Sequence, residues 1–152
     1  MKRMHIHLSV NDIEQNIKFY SAMFDALPTV KQSDYAKWII EDPAVNFAIS
    51  NRCHESGLNH LGFELDSSEE LDNANKIINE NNLESFEEKG AHCCYAESDK
   101  YWVFDPQGIP WENFHTLKGI PIYRANLGKD KDNSFDCCLG INDTVKSISG
   151  CC

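Results

Sequence analysis

The chain has 152 residues, with 14 basic against 24 acidic side chains and a formal net charge of −10 at neutral pH. That length suits one compact domain or two fused half-size modules. The acidic balance argues against a nucleic-acid binder, and the absence of any run of eighteen apolar residues argues against a membrane span.

Residues 4–10 (Met-His-Ile-His-Leu-Ser-Val) alternate as a half-buried strand. Asn11 or Asp12 then caps a helix, with Glu14 placed to reach back to the cap. Ile13, Ile17, Tyr20 and Phe24 recur at helical spacing, so an amphipathic helix is predicted to about residue 26. Short β-like runs follow at about 28–32, 35–41 and 45–50. The second half repeats this order. Asn59 to Leu65 reads as a strand, and Ser67 or Ser68 caps a helix with Glu70 in the box position. Leu71, Ala74 and Ile78 form the apolar stripe of that helix. Further β-like runs lie at about 84–88, 92–97, 100–104 and 110–115.

His5 precedes Asp12 by seven residues and His60 precedes Ser67 by seven, so the halves are in register at an offset of 55. Asp42-Pro43 and Asp105-Pro106 mark equivalent turns before the last strand of each half. The sequence therefore predicts an α+β fold of paired βαβββ modules, spanning about 1–55 and 56–118, packed side by side. Residues 119–152 are polar, with scattered glycines, and read as a flexible, cysteine-containing tail. The N-terminus runs straight into the first strand without an apolar segment, so no secretory signal is expected and a cytoplasmic location follows.

His5 and His60 occupy the same place in the two modules, and Glu112 lies on the last strand between Trp111 and Phe114. A charge in such surroundings must be paired, ligated or solvent-facing. Two imidazoles and a carboxylate form a facial triad that suits Fe(II) and leaves coordination positions open. The first-module counterpart of Glu112 falls within Asn46–Ile49, where no strong ligand stands. His7 points to the same face as His5 and is either an alternative ligand or a pocket-lining residue. His54, His92 and His115 read as surface residues. Phe19, Tyr20, Phe24, Trp38, Phe47, Trp102 and Phe104 read as core.

Six of the seven cysteines form adjacent pairs: Cys93-Cys94, Cys137-Cys138 and Cys151-Cys152. Adjacent cysteines rarely bond to one another because the small ring strains the backbone. Reduced thiols disposed to bind something soft fit better than a disulfide framework. Cys93-Cys94 could chelate one trivalent arsenical or one soft metal ion, with Gly90 giving its loop freedom to move. The alternative is a buried pair of small hydrophobes.

The paired modules with His5, His60 and Glu112 resemble the vicinal oxygen chelate superfamily of glyoxalases, extradiol dioxygenases and bleomycin-resistance proteins. Cys93-Cys94-Tyr95-Ala96 and Asp105-Pro106-Gln107-Gly108, with Trp111-Glu112 beyond it, look like the organoarsenical C–As lyases and cadmium-induced proteins. So do His5 to Val10, Asp34 to Trp38 and Asn46 to Ser50, and the likeness covers about residues 1–117. The resemblance implies a U-shaped mixed sheet with Fe(II), or another divalent metal, held inside by His5, His60 and Glu112. It also implies that Cys93 and Cys94 capture a trivalent organoarsenical such as methylarsonous acid. Cleavage of the carbon–arsenic bond then requires O2 and releases arsenite, and many such folds form homodimers. The rival readings are a glyoxalase-like or dioxygenase-like enzyme without need of the thiols, a thiol-based protein that sequesters arsenic or cadmium, and a thiol-rich stress protein with vestigial histidines.

Overall fold

A computed structural model of the chain describes residues 2–52 and 55–121. The first module is β1 (Lys2–Ser9), α1 (Ile13–Phe24), β2 (Val30–Lys31), β3 (Tyr35–Ile40) and β4 (Val45–Ser50). The second is β5 (Gly57–Leu65), α2 (Ser68–Glu80), β6 (Phe86–Cys93), β7 (Ala96–Phe104) and β8 (Pro110–Gly119). Both are βαβββ, as the repeat predicts. They join into one curled, mixed eight-stranded sheet of order β2-β3-β4-β1-β5-β8-β7-β6. The order reads as two mirrored halves meeting at the antiparallel β1–β5 pair, with β1–β4 and β5–β8 parallel.

Strand alternation separates the two faces. Ile6, Leu8 and Val10 of the first segment, with Ala36, Trp38, Phe47 and Ile49, pack beneath α1 through Ile13, Ile17, Tyr20 and Phe24. The neighbours at odd remove, His5, His7, Tyr35, Asn46 and Ala48, face the inside of the curl. Asp12 caps α1 by accepting from the Gln15 amide at 2.9 Å, so the helix starts one residue later than an Asn11 cap requires. Glu14 therefore reaches outward to Lys31, at 2.8 Å, instead of back to the cap. Ser67 caps α2 through the Glu70 amide, and Leu71 and Ala74 pack on Leu65 and Tyr101. Phe19 departs from its expected core position, being 55% exposed on the outer side of α1.

The four short runs expected after α2 are only three strands. The run 84–88 continues through Cys93 as β6, because Gly90 (φ +58°) sits in a bulge where the pairing with β7 shifts between Glu88 and Ala91, and the run 92–97 is split between the end of β6 and the start of β7. The chain turns at Cys94-Tyr95 and not at Gly90. β8 also runs on to Gly119, and the Ile120 amide donates to the Tyr95 carbonyl at 2.9 Å. Cys53, His54 and the tail cysteines Cys137, Cys138, Cys151 and Cys152 lie outside the described residues.

Gly62 decides how closely the two strands bearing the site approach. A Cβ there would stand 1.8 Å from the Glu112 carbonyl oxygen, a backbone atom that cannot turn aside. Gly62→Ala must therefore push β8 away from β5. A loss of about 3 kcal/mol or more is expected, seen as a fall of roughly 10 °C in Tm. An unchanged melting temperature would contradict the close approach.

A candidate metal centre beside a vicinal thiol pair

The mirrored halves bring His5 from β1, His60 from β5 and Glu112 from β8 together inside the curl. The three residues are 5%, 1% and 4% exposed, so solvent does little to satisfy them. His5 Nε2 and His60 Nε2 are 3.0 Å apart, and Glu112 Oε2 is 3.7 and 3.3 Å from them. Each remaining polar atom has a partner. His5 Nδ1 donates to the Asn46 carbonyl at 3.1 Å. His60 Nδ1 donates to Asn59 Oδ1 at 2.8 Å, and Asn59 is itself oriented by its donation to Ser9 Oγ. Lys100 Nζ donates to Glu112 Oε1 at 2.5 Å.

These partners select the tautomers. A carbonyl and an amide oxygen only accept, so each ring carries its proton on Nδ1 and presents a lone pair at Nε2. Two lone pairs and a carboxylate oxygen then converge with no proton to share among them. Such a set of acceptors repels itself unless a cation lies between, and the outer hydrogen bonds are those that orient metal-binding histidines. The donor set thus fits a divalent metal.

The electrostatics agree. Burial, with His60 nearby, brings His5 down to about 3, and the same causes hold His7 well below its ordinary range. Burial alone would raise Glu112, but the Lys100 ammonium and His60 hold it well below the usual carboxylate range. Unfolding returns His5 and His7 to the ordinary value of 6.5. The unfolded chain then binds more protons than the native one below that pH. The stability of the metal-free protein is therefore complete above 6.5 and falls as pH drops toward 3. Each such ring contributes up to about 1.4 kcal/mol per pH unit, and Glu112 adds loss in the same direction below its own ordinary range. Denaturant midpoints at pH 7.5 and 5 in the presence of chelator check this, and equal midpoints would contradict it.

The thiol pair shares this cleft, whose lining includes His5, His7, His60, Glu112, Cys93 and Cys94. Cys93 is buried against Tyr35, Ala48 and Trp102, which a core reading also requires. Cys94 is half-buried, and the two Sγ atoms are 2.9 Å apart. The pair lies at the tip of the β6–β7 hairpin, and not on a loop around Gly90. Cys94 and Tyr95 both have positive φ, 57° and 63°, which is the two-residue turn that matches strand twist. Neither is glycine, and such residues cost roughly 1–3 kcal/mol each. The hairpin offsets this by bracing its tip: Tyr95 Oη donates to Asp34 Oδ1 at 2.8 Å across the mouth of the curl.

Other sequence expectations divide. His92 and His115 are half-buried, not surface residues: His92 Nε2 lies 3.0 Å from Glu97, and His115 Nδ1 donates to the Leu65 carbonyl at 2.9 Å. Trp102 is buried, but its ring meets His60 edge-on at 5.3 Å, so it walls the site. Sequence reasoning missed Lys100, 4% exposed and paired to Glu112. Its signal was present: Ser98 and Lys100 line the cleft from β7, and Trp102, next in the alternation, meets the His60 ring.

Comparison with known proteins agrees with this architecture. The sequence profile described as the Glyoxalase/Bleomycin resistance protein/Dioxygenase superfamily matches residues 2–113. A trivalent organoarsenical cleaving enzyme of Bacillus sp. (strain MD1) is 32% identical over 160 aligned positions, covering 100% of this chain and 99% of that protein. The cadmium-induced protein CadI of Mycobacterium bovis is 34% identical, over 92% of this chain and 95% of its own. In fold, a homoprotocatechuate 2,3-dioxygenase from Brevibacterium fuscum superposes with a TM-score of 0.57 at 18% identity, over 79% of this chain and 33% of that one. The chain belongs to the glyoxalase, bleomycin resistance and dioxygenase superfamily and, within it, to the family of trivalent organoarsenical cleaving enzymes and cadmium-induced proteins. No helix among the described residues is long and apolar enough to cross a membrane.

Proposed function

We propose that the protein is an Fe(II)-dependent, oxygen-requiring lyase that cleaves the carbon–arsenic bond of trivalent organoarsenicals such as methylarsonous acid. The observation that carries this is the sharing of one cleft by a vicinal thiol pair and three convergent acceptors. Relatives named as trivalent organoarsenical cleaving enzymes support the substrate class.

Cys93 and Cys94 capture the substrate. Each thiol displaces one hydroxyl from arsenic, forming an As–S bond and releasing water. Two Sγ atoms already 2.9 Å apart can form both bonds without rearranging the turn. Capture fixes the organic group within the cleft, converting an encounter into an intramolecular step. Tyr35 and Phe114 give that group apolar walls, with Trp102 packed behind Cys93 and His60 to keep water out. His5, His60 and Glu112 would hold the metal, with Lys100 keeping the Glu112 carboxylate charged and aimed. Iron bound there supplies the redox chemistry that dioxygen requires, and another divalent ion is an alternative occupant. The thiols must be reduced to act, which fits a cytoplasmic location.

A second reading, thiol-based sequestration, is favoured by the kinship with cadmium-induced proteins and needs no metal centre. One experiment separates the two. The protein is loaded anaerobically with Fe(II), given a trivalent methylarsenical in air, and the arsenic species are resolved. Release of inorganic arsenite supports the lyase. Recovery of intact methylarsenical bound to protein supports sequestration and sinks the lyase.

A further inference from the structure

We propose that His7 is a fourth protein donor to the metal, reaching from β1 into the position that β4 leaves without a ligand. This rests on the metal reading of His5, His60 and Glu112 and adds to it.

The internal symmetry frames the argument. An offset of 55 carries His5 onto His60 and His7 onto Gly62, and the β1–β5 register obeys it, pairing His5 with Gly62 and His7 with His60. In the second module Gly62 pairs with Glu112 across the parallel β5–β8 ladder. In the first, His7 pairs with Ala48 across the parallel β1–β4 ladder. The counterpart of Glu112 is therefore Ala48, a methyl group where symmetry would place a second carboxylate. His7 stands beside that methyl and opposite His60. The second module has no such imidazole, because Gly62 has no room for even a Cβ.

The ring is where a ligand must be. His7 is 1% exposed, and its centroid lies 4.8 Å from that of His60 and 6.3 Å from that of His5. Ligating atoms of His5, His7 and His60 all lie within 4.8 Å of one another. Two nitrogens on a common ion, each about 2.1 Å away, stand at most about 4.2 Å apart. A rotation moving the ring nitrogen by less than about an ångström therefore closes the set. His7 Nε2 is at present 2.9 Å from Ser50 Oγ. Giving up one neutral hydrogen bond to a hydroxyl is a small loss against a metal–imidazole bond. An octahedral ion would then keep two positions for outside ligands instead of three.

The test counts histidine nitrogens on Mn(II), an ion that thiols do not reduce, bound to the full chain, by pulsed electron paramagnetic resonance with and without 15N-histidine labelling. The wild type needs no substitution and should show three. His7→Ala should show two, with metal affinity roughly ten- to a hundredfold weaker. Ser50→Ala, which removes only the competing hydroxyl, should keep three and bind the ion at least as tightly as the wild type. Two nitrogens in the wild type, with unchanged affinity in His7→Ala, overturn the proposal and leave the His5–His60–Glu112 reading standing. No histidine nitrogen at all overturns both.

Discussion

His60→Ala is expected to abolish turnover and metal retention while leaving arsenical capture by the thiols unchanged. His60 is the hub of the site: its Nε2 is 3.0 Å from His5 and 3.3 Å from Glu112, and its ring meets both His7 and Trp102. Losing an outer hydrogen-bond partner of a ligand already costs about 10- to 100-fold in metal affinity, so losing the ligand itself should exceed that. Glu112→Gln is a poorer choice. It also takes the carboxylate from Lys100, which is 4% exposed, so its effect mixes loss of a metal ligand with a change around a buried lysine. Metal content after dialysis, arsenite release and thiol titration before and after methylarsenical together check the expectation. Turnover above about a tenth of wild type, set against the hundredfold scale of a ligand's loss, would remove His60 from the metal site.

The matched spacing that makes His60 central was legible because a repeat converts two weak signals into one. A single histidine on a strand says little, but His5 and His60 hold the same position before the same helix cap. Strand alternation likewise separates His5, His7 and Ser9 from Ile6, Leu8 and Val10. What escaped notice depends on register between distant strands. Lys100 meets Glu112 only because β7 pairs with β8, and Asn59 orients His60 only through Ser9 on the neighbouring strand. The hairpin turn escaped for a different reason. Glycine is the usual sign of a left-handed turn, and Gly90 carries that sign. Yet Gly90 holds a bulge, while Cys94 and Tyr95 take the turn itself at a conformational cost. Local propensity pointed to the wrong residue because tertiary braces, Tyr95 to Asp34 and Ile120 to Tyr95, override it. Strain borne by the pair of residues that includes Cys94 is consistent with a turn shaped to present the thiols.

That presentation leads to the second large effect, on capture itself. Cys94→Ser is expected to weaken retention of methylarsonous acid about 10²- to 10⁴-fold, the scale of losing an effective-concentration advantage, and to leave metal binding intact. The first As–S bond is an ordinary bimolecular step. The second forms from a thiol held 2.9 Å from the first, so it costs almost no further freedom. Serine matches cysteine in size, and Cys94 is half-buried at its turn, so the hairpin should survive. Cys93→Ser is less clean, since Cys93 is 6% exposed among aromatic rings and a hydroxyl there costs about 1–3 kcal/mol. The arsenical offers its own control. Dimethylarsinous acid has one displaceable hydroxyl and can form one As–S bond only. Wild type should therefore hold it no better than Cys94→Ser holds the monomethyl compound. If Cys94→Ser captures and turns over methylarsonous acid as well as wild type does, chelation is not how the substrate is held. If wild type grips the dimethyl compound as firmly as the monomethyl one, one sulfur suffices, and the adjacency of Cys93 and Cys94 has another cause.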